Sequence, residues 1–244
     1  MRNLRLDLCY DGTRYKGWQR LAQTDNTIQA KLEQTLSRIL GEPVEITGSG
    51  RTDAGTHAMG QVANFHCEST MDCGEILAQL RRYLPEDIGI YSCRNVSPRF
   101  HARLNALTKT YRYRIWNSEA PCVFDRKYVW VNPAPMDVAC MHEAAQQFLG
   151  THDFSAFCTN KAGKKSTVRA IGSFCVERMG EEIRFTVTGN GFLHNMVRIL
   201  VGTLVEIGTG QRQPEQIPEL FGGKREASGV TVPACGLCLM EVTY

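Results

Sequence analysis

The order of hydrophobic patterns along the chain constrains its fold more than any other sequence feature. Residues 3–10 alternate between apolar and polar side chains, which is typical of a half-buried strand. Apolar residues then recur at every fourth position from Ile28 to Leu40, and Gly41 follows. This pattern predicts a helix that begins after Asn26 or Thr27 and ends at the glycine. The remaining expected elements of this half are a helix at 74–84 and strands at 43–47, 61–67 and 88–96.

The second half of the chain repeats this order of strands and helices. Its expected strands are 107–116, 168–178, 182–188 and 236–244, and its expected helices are 136–149 and 192–207. Each half therefore reads β-α-β-β-α-β, the order of a split βαβ unit. We expect an α+β protein of two similar split βαβ (ferredoxin- or RRM-like) units with mainly antiparallel sheets and an active-site cleft between them. The expected boundary separates residues 1–104 from residues 105–244.

Composition narrows the class of protein. The chain has 244 residues, 43% hydrophobic and 22% charged, with a net charge of +3, values typical of a globular domain. It contains no apolar run of the roughly twenty residues that a membrane span needs, and its first residues lack the apolar core of a signal peptide. The ten cysteines are scattered, and the one close pair, Cys235 and Cys238, has no second pair with which to bind zinc. We therefore expect a cytoplasmic protein with reduced cysteines, no membrane attachment and no metal.

A glycine-rich run at 48–60 is the strongest candidate for a functional site. Four glycines within thirteen residues surround Arg51, Asp53 and His57, so the backbone can approach a ligand closely. The run is neither a phosphate-binding loop, nor a dinucleotide fingerprint, nor a nucleophile elbow. A carboxylate beside an arginine suits an aspartate nucleophile. The alternative is an Asx turn, in which Asp53 caps its own loop and Arg51 is solvated.

Two basic segments are candidates for RNA binding. In the first, at 11–20, the basic residues Arg14, Lys16 and Arg20 are interleaved with two aromatic residues, a combination that can bind phosphates and stack on bases. The alternative is an ordinary surface loop whose tryptophan packs on the core. The second segment is the long loop 151–167, which contains Lys161, Lys164 and Lys165. It suits the rim of an RNA groove, although lysine clusters are also common on solvated surfaces.

Three further residues of the second half are candidates for the site. On the strand 107–116, the period of two puts Tyr111 and Tyr113 on one face, where tyrosines commonly belong to the core. On the helix 192–207, Arg198 is surrounded in sequence by apolar residues. It either extends its guanidinium to water or is paired in a cleft.

Several motifs together identify a family resemblance. The run Arg51-Thr52-Asp53-Ala54-Gly55-x-His57-Ala58 resembles the active-site motif of the TruA family of tRNA pseudouridine synthases. The other matching motifs, in the order that the family has them, are Tyr10-Asp11-Gly12-x-x-Tyr15-x-Gly17-Trp18-Gln19, Phe100-His101-Ala102-Arg103, Lys109-x-Tyr111-x-Tyr113 and Met196-Val197-Arg198. The resemblance extends along nearly the whole chain.

The resemblance implies an activity and its partners. The expected reaction isomerises uridine to pseudouridine at positions 38, 39 and 40 of the tRNA anticodon stem-loop, with Asp53 as the nucleophile. The reaction involves neither redox chemistry nor net hydrolysis, so no cofactor is expected. Family members work as homodimers whose two subunits together bind one tRNA. The sequence does not decide whether Asp53 attacks the ribose, attacks the uracil ring or removes a proton from the sugar.

The resemblance also implies roles for individual residues. Tyr111 would stack on the target uracil, and Arg198 would pair with Asp53 and keep it ionised in a site that excludes water. Because a stacked uridine must be flipped out, Arg51 would either fill the vacated space or contact a backbone phosphate. Leu237 matches an active-site leucine. The chain departs from the family at Thr56, where valine is usual.

Two other functions use the same features. An RNA N-glycoside hydrolase would act through the same aspartate and would release free uracil. A non-catalytic RNA-binding protein of two RRM-like units would use Tyr111 and Tyr113 to stack bases. The intact Arg-Thr-Asp-Ala-Gly loop argues against the second alternative.

Overall fold

The chain forms two compact units. The computed structural model describes residues 1–159 and 166–244. The first unit comprises Met1–Leu107 with Cys238–Tyr244, and the second comprises Thr108–Leu237. The division at residues 104 and 105 stays a prediction; it differs from these units in assigning the last strand to the second half.

The elements follow the expected order in both halves. The helices are α1 (Ile28–Leu40), α2 (Cys73–Tyr83), α3 (Val138–Gln146), α4 (Met196–Gly208) and the short α5 (Ile217–Leu220). The strands are β1 (Arg2–Tyr10), β2 (Ile46–Gly48), β3 (His57–Cys67), β4 (Ile88–Val96), β5 (Thr108–Trp116), β6 (Trp130–Val131), β7 (Gly150–Asp153), β8 (Val168–Met179), β9 (Glu182–Gly189) and β10 (Leu237–Thr243). The prediction of an α+β fold with split βαβ order is confirmed.

The sheet of the first unit is built around β1 and β3. β1 lies between β4 and β3 and is antiparallel to both. The other edge of β3 is shared: β2 pairs with its later part, Ile46 opposite Phe65, and β10 runs parallel to its start, Cys238 opposite His57. A side chain at Gly60 would overlap the carbonyl oxygen of Met240. This glycine therefore allows the last strand to approach β3.

Helix α1 begins and ends where its sequence signals indicate. The Thr27 side chain accepts a hydrogen bond from the Ala30 N–H, and Gly41 adopts a left-handed φ of 73° after the last turn. Of the two predicted caps, Thr27 is the one used. The expected alternation in β1 is also confirmed, because Leu4, Leu6 and Leu8 are buried.

In the second unit, β9 lies between β5 and β8 and is antiparallel to both. Tyr111 and Tyr113 are buried on one face of β5, as their spacing predicts. The buried Glu182 accepts hydrogen bonds from Arg114 on the neighbouring strand β5 at 2.8 Å and from Arg184 on its own strand at 2.6 Å. Burial pushes the pKa of Glu182 upward, but the bonds from the two arginines outweigh it and leave the pKa below its usual value.

The structure differs from the sequence prediction at a few ends. β3 begins at His57, four residues before the predicted start at 61, because its first residues pair with β10. Helix α4 begins at Met196 rather than at 192, because Asn195 has a φ of 62°, which an α-helix cannot include. The short strands β6 and β7 were not predicted.

None of the helices in the described ranges is both long enough and apolar enough to cross a lipid bilayer.

Candidate active site

Asp53 lies in a tight turn between β2 and β3. The N–H of Thr56 donates to the carbonyl oxygen of Asp53 at 3.1 Å, and Gly55, the third residue of the turn, has a φ of 77°. This is the geometry of a type II turn, whose third position favours glycine. The Asp53 side chain is partly exposed and Arg51 is exposed, so both can meet a substrate.

The segment 11–20 packs directly on this turn, backbone against backbone. The N–H of Trp18 donates to the Thr52 carbonyl at 3.0 Å, and the N–H of Gly55 donates to the Tyr15 carbonyl at 3.3 Å. Gly17 has a φ of 93°, and a Cβ there would lie 2.7 Å from the Thr52 oxygen. Only glycine satisfies both the conformation and the space at this position. The first basic segment is thus a structural support for the Asp53 turn.

A second contact fixes the far end of the turn. The N–H of Gly12 donates to Nδ1 of the buried His57 at 3.0 Å, and Oδ1 of Asp11 lies 3.2 Å from the same nitrogen. A side chain at Gly12 would overlap the carbonyl oxygen of Thr56. The aspartate turn is therefore held on both sides by residues of the segment 11–20.

A buried glutamine ties the near end of the loop to the sheet. Gln61, with no exposed surface, accepts hydrogen bonds from Ser49 Oγ at 2.6 Å and from its neighbour Val62 at 3.1 Å. Its amide nitrogen donates to Tyr10 Oη at 3.3 Å and to the Gly50 carbonyl at 3.2 Å. Two of these four bonds, those to Ser49 and Gly50, hold the two residues that precede Arg51.

Tyr10 extends this network to the residue that precedes the turn. Its hydroxyl lies 2.8 Å from Thr52 Oγ1, next to Asp53 in the chain. Burial raises the pKa of Tyr10 well above its usual value, so the phenol stays neutral and keeps a hydrogen to donate.

Thr56, the departure from the family pattern, is buried with only 2% of its surface exposed. Its hydroxyl has no hydrogen-bond partner among the residues that the structure describes. A buried hydroxyl without a partner destabilises a fold. Valine at this position would fit the same space without that cost.

The predicted RNA-binding cations differ in their surroundings. Arg14, with 68% of its side chain exposed, forms an ion pair with Asp87 at 2.6 Å, and Tyr15 Oη donates to the same carboxylate at 2.6 Å. Lys16 is exposed. Arg20 pairs with the buried Glu33 at 3.0 Å. The three lysines of the second basic segment, Lys161, Lys164 and Lys165, lie outside the described residues.

Three predicted site residues belong to the second unit. Tyr111 is buried, with its ring 5.3 Å from that of Phe192 in an edge-to-face contact. Arg198 donates to the Val232 carbonyl at 2.7 Å and to Asn195 Oδ1 at 2.8 Å. Leu237 is buried. The predicted pairing of Arg198 with Asp53 stays a prediction.

The chain matches the protein family described as tRNA pseudouridine synthase over residues 9–104 and 144–244. The chain belongs to this family. It is 45% identical to tRNA pseudouridine synthase A 2 of Bacillus cereus and 44% identical to a protein of the same name from Clostridium perfringens, in each case over 245 residues and all of both chains. The protein is therefore an isomerase, as the sequence motifs predict.

One solved structure shows a weaker similarity to the fold of this chain. It is a chain in the crystal structure of a Cbf5-Nop10-Gar1 complex, with a TM-score of 0.36 and 12% identity, over 83% of this chain and 45% of that one.

The synthase has supporting residues that sequence analysis missed. Gln61, Glu33 and Asp87 each hold a segment of the candidate site, yet each lies far along the chain from at least one partner. Of these three, only Gln61 could have been noticed in the sequence, since it is a polar residue within an apolar strand next to the glycine run. Among the described residues, no group of three His, Cys, Asp or Glu side chains is arranged to bind a metal.

Proposed function

We propose that this synthase isomerises uridine to pseudouridine at positions 38, 39 and 40 of the tRNA anticodon stem-loop, with Asp53 as its nucleophile. The observation that carries the proposal is the geometry of the Asp53 turn. A partly exposed carboxylate stands on a backbone that is fixed from both sides by the segment 11–20. A fixed nucleophile avoids the entropic cost of positioning during the reaction.

The reaction needs one bond to break and another to form on the same ribose. The glycosidic bond between C1′ and N1 of uracil breaks, the detached uracil turns, and C1′ forms a bond to C5. The proton that C5 loses goes to solvent, and N1 gains one. Asp53 supports this exchange by covalent catalysis, as the carboxylate of a retaining glycosidase does.

The family resemblance supports roles for three residues of the second unit. We propose that Tyr111 stacks on the uracil, that Leu237 contacts it and that Arg198 keeps Asp53 ionised. A guanidinium beside a carboxylate favours its charged form. If Arg198→Met kept the turnover of the wild type, the proposed role of Arg198 would be wrong.

Access to a stacked uridine requires that the enzyme flip it out of the helix. Arg51 precedes Asp53 by two residues and is exposed, a position suited to holding the flipped nucleotide. We further propose that Lys16 and Arg20 contact the tRNA, together with Lys161, Lys164 and Lys165, and that Arg14 does so while bonded to Asp87. The functional enzyme would be a homodimer that binds one tRNA.

The sites of modification are tested with unmodified tRNA transcripts that carry a single uridine at 38, 39 or 40 and cytidine at the other two positions. Pseudouridine, mapped by carbodiimide labelling and primer extension, should appear at each of the three positions. Pseudouridine elsewhere, with all three positions unmodified, would contradict the proposal. Release of free uracil would indicate the N-glycoside hydrolase instead.

A further inference from the structure

A surface cavity of about 350 Å³ opens beside the Asp53 loop in the first unit. Its walls include the loop residues Gly48, Gly50 and Arg51, together with Arg20 and Arg103. Arg51 and Asp53 are two residues apart, so their Cα atoms are at most about 7 Å apart. The cavity therefore lies beside the segment that carries Asp53.

Two of the three arginines carry uncompensated charge. The guanidiniums of Arg51 and Arg103 form no hydrogen bond or ion pair with any residue in the described part of the chain. Both side chains are exposed. Two cations on one cavity, with no carboxylate bound to either, favour binding of an anion in it.

The third arginine is already neutralised and helps to shape the cavity. Arg20 forms an ion pair with Glu33 at 3.0 Å, and the other oxygen of Glu33 accepts from Gln29 at 2.9 Å and from the N–H of Ile46 at 3.0 Å. Glu33 and Glu45 are the acidic residues of the cavity wall. Three arginines against two carboxylates leave the cavity positively charged.

Trp18, the aromatic residue of the cavity wall, offers no face for base stacking. Trp18 lines the cavity but has only 2% of its surface exposed, and a Cβ at Gly48 would lie 2.5 Å from its ring. The indole is thus covered by the loop and offers no free face for a nucleobase. With arginines exposed and its aromatic residue covered, the cavity fits a phosphate better than a base.

We propose that this cavity binds a backbone phosphate of the substrate RNA within about two nucleotides of the target uridine, a distance set by the separation of Arg51 and Asp53, and that Arg51 and Arg103 are its ligands. The inference rests on the proposed function, because it takes the ligand to be the RNA that Asp53 acts on. It also specifies how Arg51 would hold the flipped nucleotide, namely through a backbone phosphate.

The test measures binding of an unmodified tRNA transcript to Asp53→Asn protein at several salt concentrations. Adding Arg103→Gln should raise Kd about tenfold and lower the slope of log K against log salt by about 0.7 to 0.9, the value for one lost phosphate contact. Arg103→Lys should restore the slope but only part of the affinity, because lysine lacks the planar fork of arginine.

Arg99 provides the matched control. It is an exposed arginine four residues earlier in the chain and does not line the cavity. Arg99→Gln should leave the Kd within about twofold of the parent, as expected for a charge that makes no direct contact. Equal losses for Arg99→Gln and Arg103→Gln would indicate diffuse charge and overturn the proposal.

A second measurement identifies the phosphate. Synthetic anticodon stem-loops each carry one uncharged methylphosphonate at a successive position near the target. At one of these positions, the methylphosphonate should raise the Kd of the Asp53→Asn parent about tenfold. The same methylphosphonate should leave the Kd of the Arg103→Gln variant unchanged, because the two changes remove the same contact. If no position behaves in this way, the subsite is wrong. Pseudouridine formation by the wild type is measured separately, so a failed subsite is distinguishable from a failed activity.

Discussion

The hydrogen-bond network of Gln61 predicts a large loss of stability on a single substitution. Gln61→Leu preserves the approximate size of the side chain but removes both amide atoms. Four hydrogen bonds disappear, to Ser49, Val62, Tyr10 and Gly50. The site has no exposed surface, so water cannot replace them.

The size of the effect follows from these bonds. Each is worth roughly 1 kcal/mol net, and a buried group left without a partner costs roughly 1–3 kcal/mol. Tyr10 keeps its bond to Thr52, and the leucine contributes apolar contacts, so part of the loss is offset. We expect the free energy of unfolding of the first unit to fall by about 3 kcal/mol. Because two of these bonds hold Ser49 and Gly50, the residues before Arg51, we also expect kcat to fall at least about tenfold.

The assay uses Trp18 as the reporter of the first unit. The chain has three tryptophans, and the other two, Trp116 and Trp130, can be replaced by phenylalanine. Urea unfolding is then followed by the fluorescence of Trp18, which is buried against the loop. Gln34→Leu is the matched control, because Gln34 is exposed on α1.

Equal stability of the two variants, within about 0.5 kcal/mol, would show that the hydrogen bonds of Gln61 do not stabilise the first unit. A stability loss with unchanged kcat would refute the link between the network and the position of the loop.

Three further predictions rest on single observations. Thr56→Val should stabilise the protein by about 1 kcal/mol, since it removes a buried hydroxyl that has no partner among the described residues; a lower urea midpoint would contradict this. Gly17→Ala should cost about 3 kcal/mol or more, because strain and a steric clash combine, whereas Gly41→Ala, at similar φ but with open space around it, should cost only about 1 kcal/mol; equal losses in urea unfolding would contradict the clash. The lowered pKa of Glu182 means that its ion pairs stabilise the fold above its unfolded pKa and that this stability is lost as pH falls through its lower folded pKa; Glu182→Gln should flatten the stability profile below about pH 4.3, and an unchanged acid limb would contradict the assignment.

The sequence predicted the order of elements because local patterns specify them. The alternation of β1 and the caps of α1 depend on near neighbours, and both were found as expected. The start of β3 was predicted too late because the glycines that suggest a loop also serve a strand. Gly60 is needed for the close approach of β10, a contact between residues far apart in the chain.

The sequence predicts some residues of the candidate site and not others. The glycine run indicated Asp53 and Arg51, since reactive side chains and small residues stand next to each other. The partners that hold the loop were not predictable, because Gln61 reaches Tyr10 across 51 residues and Tyr15 reaches Asp87 across 72. Such pairs depend on the tertiary fold, and a single sequence has no local pattern for them.

We propose that Asp53 is the nucleophile of this uridine isomerase. The most direct test uses unmodified tRNA with tritium at C5 of uracil and follows tritium release by the wild type and by Asp53→Asn. We expect steady release by the wild type, no release by the variant, and pseudouridine in the anticodon arm. Normal release by Asp53→Asn, or tight tRNA binding with no release by the wild type, would contradict it.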